Sequence, residues 1–151
     1  EGATLEGFIR RYYAGVQAYD LAERNEEDLY GAALVHWRLS RRRKPGTLLV
    51  RVYNPTLESD GWHSDHTVIA MVNDDMPFLV DSVANAIAGR QLTIHRLLHP
   101  VVCVDRDKNG KLLAQSPLPL DATIISMRRV RGLAITVPTG CTPDQTYISV
   151  A

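Results

Sequence analysis

The chain has 151 residues, 45% hydrophobic and 23% charged, which suits one globular domain around one core. Its 17 basic and 17 acidic side chains cancel to a net charge of 0, so no long-range field draws it to nucleic acid or an anionic membrane. Cys103 and Cys141 are too few for a disulfide framework and form no C-x-x-C pair, which reads as a reducing, cytoplasmic setting. No apolar run reaches bilayer length, none reads as a signal-peptide h-region, and the chain is expected to be a piece cut from something larger.

Leu5, Phe8, Ile9, Tyr12, Tyr13 and Val16 recur at helical spacing and predict an amphipathic helix over 5–16. Asp20 with Glu23, then Asn25 with Asp28, are successive cap signals before a second amphipathic helix that turns Leu29, Tyr30, Ala33, Leu34 and Trp37 inward. Its last turn carries Arg38, Arg41, Arg42, Arg43 and Lys44, read as a solvated cationic helix end, and Pro45-Gly46 stops it. The period then becomes strand-like over Thr47–Tyr53 and Thr67–Val72, and helical again through Leu79, Val80, Val83 and Ile87 to Gly89. Ile94–Val104 is a branched apolar strand leading to a hairpin on Asn109-Gly110 with Lys111–Ala114 beyond. Two short β-like runs, Thr123–Met127 and Leu133–Val137, and a closing strand at Tyr147–Val150 complete the chain. This order, a split βαβ with a hairpin, predicts an α+β ferredoxin-like sheet with helices on one face, preceded by two N-terminal helices. Residues 1–46 form the helical segment and 47–151 the α+β domain, expected as one folded unit.

Most chemical motifs dissolve on inspection. Asp105-x-Asp107-x-Asn109-Gly110 matches half of a calcium loop, but Ser116 stands where the closing Glu belongs, so a hairpin turn is the better reading. His63, Asp65 and His66 lack a further ligand, and His95 and His99 on a strand stand about 13 Å apart, too far to share an ion. The ten glycines include no G-x-G and no P-loop, so no dinucleotide cradle is expected, and there is no nucleophile elbow. The sequence predicts no catalytic residue, no metal and no cofactor in this segment. What remains is the turn Asn73-Asp74-Asp75-Met76-Pro77-Phe78, where acidic residues precede a helix start whose N–H groups lack partners; they are expected to cap it, with Pro77 in the first turn.

The stretches Tyr19–Leu39, Leu49–Trp62 and His66–Val83 resemble the N-terminal region of the large bacterial NAD-specific glutamate dehydrogenases, in register from Tyr19 to about Ala114. The resemblance implies an ACT-like regulatory segment, with catalysis and NAD binding in a domain further along the parent chain. It also implies an amino-acid effector at the turn, Asn73, Asp74, Asp75, Met76, Pro77 and Phe78. An aspartate there would hold an ammonium group and the helix N–H groups a carboxylate. Phe78 stands where many ACT turns have glycine and is expected to fill that pocket, which favours simple capping. The partners implied are other domains of the parent chain and a second copy in a homo-oligomer. The alternatives are a non-sensing interdomain or oligomerisation module and a metal-dependent enzyme.

Overall fold

The computed structural model describes residues 4–116 and 128–138, with 115–116 and 128–138 described as backbone alone. The expected strands at 123–127 and 147–150 lie outside these residues. Three helices precede the sheet where two were expected: α1 (Leu5–Tyr12), α2 (Ala18–Ala22) and α3 (Glu26–Ser40). Thr4 caps α1 by accepting from the Gly7 N–H at 3.1 Å, and Asn25 caps α3 by accepting from Glu27 at 2.8 Å. Asp20, expected as a cap, lies inside α2.

The strands β1 (Leu49–Tyr53) and β2 (His66–Asp74) flank a one-turn helix α4 (Leu57–Asp60), capped by Thr56 and closed by Gly61 at φ 74°. Helix α5 (Leu79–Ala88) leads to β3 (Arg96–Leu98), β4 (Val101–Arg106), β5 (Leu112–Ser116) and β6 (Arg128–Pro138). All pairings are antiparallel in the order β1-β2-β6-β4-β5, and β3 lies along β6 beside the same edge as β4. The single strand expected over 94–104 is broken at His99-Pro100, because proline supplies no N–H to the ladder. Since β2 and the β3–β4 pair both run antiparallel to β6, the crossover through α5 joins parallel strands with β6 lodged between them.

Helices cover both faces, not the one expected. On one side Leu79, Val83 and Ile87 of α5 pack on Ile69 and Met71 of β2. On the other, Phe8 and Tyr12 of α1 meet Ala33 of α3 and Leu98 of β3, while Trp37 reaches Val102 and Val104. This explains why β2 reads as an unbroken apolar run instead of alternating: residues 67–72 are buried on both sides. Tyr30, predicted inward, is half exposed because α3 turns Gly31, Ala33, Val35 and His36 to the interior instead.

Candidate functional site

The predicted turn is built from the end of β2 and the start of α5. Its first carboxylate is already engaged: Asp74 accepts from Arg43 Nη1 at 2.8 Å and from the Gly46 N–H at 2.9 Å. Arg43 also donates from Nε to the Thr47 carbonyl at 2.6 Å, and its side chain is 1% exposed. The basic run at the end of α3 is therefore not a uniformly solvated end; one of its members is a buried strut. The capping expectation is corrected too. The N-cap of α5 is Phe78, in the left-handed region at φ 61°, with no side-chain cap, so Pro77 falls before the helix rather than in its first turn. Phe78 is 77% exposed and fills no pocket, and Met76 beside it is half exposed, within 3.8 Å of the Asn73 amide through its sulfur. Asp75 joins the end of β2 at Asp74 to Met76.

Behind the turn, Arg43 leads to the hairpin. Its N–H donates to the Gly110 carbonyl at 2.8 Å, and Arg106 Nη1 reaches both Ser40 O and Gly110 O, at 2.7 and 3.1 Å. Burial holds the Arg106 pKa below its ordinary value, and the nearby Arg43 cation adds to this. Gly110 is required there: a Cβ would stand 2.6 Å from the Arg43 carbonyl, and φ is +79°. Asp107 receives the N–H groups of Asn109 and Lys111 at 2.8 and 2.9 Å, so the half-match to a calcium loop is a self-satisfied turn.

The histidines divide. His63 pairs with Asp65 at 3.4 Å in the loop, whereas His66 at the start of β2 stacks on His95 before β3, with ring centroids 4.1 Å apart and planes 16° apart. Among the described residues no group of three or more His, Cys, Asp or Glu is placed to hold a metal. His95 has a pKa lowered by partial burial, then by His66 and the nearby arginines.

Sequence reasoning missed a cavity of about 260 Å³ between the N-terminal helices and the sheet. Its aromatic walls come from Tyr12 and Tyr13, which helical spacing marked only as one apolar stripe, from Tyr53 at the end of a predicted strand, and from Trp62, which no spacing singled out. The Tyr12 hydroxyl lies 3.2 Å from His36 Nδ1, and the Tyr13 hydroxyl donates to Leu29 O at 2.6 Å. Burial raises the pKa of Tyr12, Tyr13 and Tyr53, keeping all three phenols neutral. Asp28 accepts from the His63 N–H at 3.0 Å and ties the α3 start to the loop before β2. Arg24 and Arg96 bring charge to this lining. No spacing rule joins two arginines 72 positions apart; only the packing of α3 on the sheet does.

Residues 8–125 match the family described as glutamate dehydrogenase, ACT1 domain. The chain is 42% identical over 123 residues to an NAD-specific glutamate dehydrogenase of Halomonas elongata, covering 81% of this chain and 8% of that protein. It is 38% identical over 105 residues to an NAD-specific glutamate dehydrogenase of Pseudomonas aeruginosa, covering 70% of this chain and 6% of that protein. The chain thus spans less than a tenth of the length of either relative. No solved structure matches it. Among the described residues no helix is long and apolar enough to cross a membrane.

Proposed function

The chain belongs to the glutamate dehydrogenase ACT1 domain family, and from that premise we propose that it is a non-catalytic regulatory or assembly segment of a large NAD-dependent glutamate dehydrogenase. The parent reaction is oxidative deamination of L-glutamate to 2-oxoglutarate, carried out in the cytoplasm. The observation that carries the reading is the match over 8–125 to one named domain of that family. NAD has no place on this chain in our reading. Gly31 is filled by the Trp62 side chain and Gly110 by the Arg43 carbonyl, and no glycine pair in the sequence opens a helix toward a phosphate.

Within this reading, residues 1–46 and 47–151 act as one unit, joined where Arg43 meets Asp74 and Gly110. The ferredoxin-like description is supported by the βαβ crossover with β6 between its parallel strands. The turn Asn73, Asp74, Asp75, Met76, Pro77 and Phe78 is proposed as the place where an amino-acid effector or another parent domain makes contact. Its apolar tip, Met76 and Phe78, is exposed, and Asp74 ties it to the end of α3, so an event at the tip is felt by the N-terminal helices.

The test has two arms. The chain alone is expected neither to oxidise glutamate nor to bind NAD by calorimetry, and turnover or a micromolar NAD isotherm would sink the proposal. Deleting the segment from the full-length dehydrogenase is expected to change its assembly or its response to free amino acids. A deletion that leaves both unaltered removes the regulatory role.

A further inference from the structure

We propose that the cavity between the N-terminal helices and the sheet is a binding site for a small organic carboxylate, gripped by Arg24 and Arg96. Two arginines line this one space, Arg24 from the α2–α3 connection and Arg96 from the start of β3. Among the described residues neither side chain closes a salt bridge or a hydrogen bond, although the Arg24 backbone N–H donates to Leu21 O at 3.1 Å. Asp20 and Asp28 lie within electrostatic reach of Arg24 but do not close a pair with it. The two cations are close enough to oppose each other: the Arg24 pKa is lowered first by burial and next by Arg96. Folding has thus brought like charges together at a cavity wall with no direct ion pair to either, the carboxylates of Glu23 and Asp28 standing in the same lining. An anion placed between them relieves the repulsion, and a planar guanidinium presents paired N–H donors that match the two oxygens of a carboxylate.

The rest of the lining selects the body of the ligand. Tyr12, Tyr53, Trp62 and Val68 supply aromatic and aliphatic wall, which accommodates carbon chain and gives a bare inorganic anion nothing to pack on. The volume of about 260 Å³ lies below the ~300 Å³ at which pockets for drug-sized ligands begin, so the occupant is metabolite-sized. Glu23 and Asp28 in the same lining leave room for an ammonium group on the ligand without requiring one. The site is separate from the Asn73–Phe78 turn, none of whose residues lines the cavity, and it does not depend on the regulatory reading.

The experiment follows Trp62 emission in the 151-residue chain carrying Trp37→Phe, which leaves one tryptophan as reporter. Glutarate is the probe, glutaramide its neutral counterpart, and inorganic phosphate at equal ionic strength the bare anion. The expected result is a saturable change with glutarate, none with glutaramide, and at least a tenfold loss of affinity in Arg24→Gln and in Arg96→Gln with unchanged thermal midpoints. If Arg96→Gln does not fold, the exposed Arg24→Gln decides alone. The absence of saturation up to ~10 mM glutarate, weaker than a specific site delivers, overturns the proposal. So does glutarate affinity that survives the arginine changes, and phosphate binding as tight as glutarate replaces the carboxylate site with a general anion site. The assay reads binding on this chain, whereas the regulatory proposal is read on the parent enzyme, so either can fail alone.

Discussion

Asp74 and Arg43 form the contact on which the turn hangs, because a guanidinium that is 1% exposed needs a counter-charge and a partly exposed carboxylate supplies it. Removing one partner of a buried pair leaves the other desolvated and uncompensated, which costs more than the pair itself contributes. Asp74→Asn is expected to lower stability by about 2 kcal/mol, toward the low side of buried pairs because Asp74 faces solvent in part. Urea unfolding measures it, and an unchanged midpoint would mean that Arg43 is satisfied by Thr47 alone. A second residue-scale contact involves no charge. The Trp62 side chain lies against the bare backbone of Gly31, where a Cβ would stand 2.5 Å from it. Gly31→Ala gains helix propensity yet forces the indole away, and overpacking of this kind costs about 1–3 kcal/mol. A midpoint that rises in the alanine variant would show that Trp62 shifts freely.

At the scale of elements, the stacked imidazoles fasten the start of β2 to the approach of β3, and their titration has a defined sign. The folded-state pKa of His95 is lowered, by burial first and by His66 next, so the unfolded chain binds the proton more readily. Stability from this source is present above the ordinary histidine pKa and is lost as pH falls through it toward the folded value. Unfolding midpoints are expected to rise between pH 5 and 7 as the unfolded pKa of ~6.5 is passed, and His95→Asn to flatten that rise. A wild-type profile already flat over this range refutes the coupling. The same elements show what a sequence can disclose. The Asn25 cap, the hairpin at Asn109-Gly110 and the periodicity of α5 were legible because each rests on chemistry within a few residues. The break at His99-Pro100 was written in the proline itself but yielded to the branched residues around it. The buried Arg43 and the Arg24–Arg96 cavity were not legible, since each joins residues dozens of positions apart by packing alone.

On the scale of the whole molecule, most of the apolar surface of α1 and α3 is spent on each other and on the chain's own sheet, with Tyr30 left half exposed, so the helices offer a second copy only a small apolar patch. The remaining opportunity is the sheet edge. β1 is terminal in the strand order, among the described residues its outer side carries no partner strand, and Val50 is 46% exposed. Such an edge offers a row of free N–H and C=O groups, and a second β1 running antiparallel about a two-fold axis satisfies both rows at once. We propose this pairing as the route by which a homo-oligomer would form. Arg51 does not block it, because its guanidinium is turned aside to Asp60 at 2.7 Å and lies over the Tyr53 ring. Light scattering across a dilution series is expected to show a dimer that dissociates on dilution, and Val50→Lys, which places a charge beside the pairing edge, to weaken it at least tenfold. A monomer at every concentration would leave β1 as a surface for another domain of the parent chain. A dimer indifferent to Val50→Lys would move the interface to the exposed tip at Met76 and Phe78.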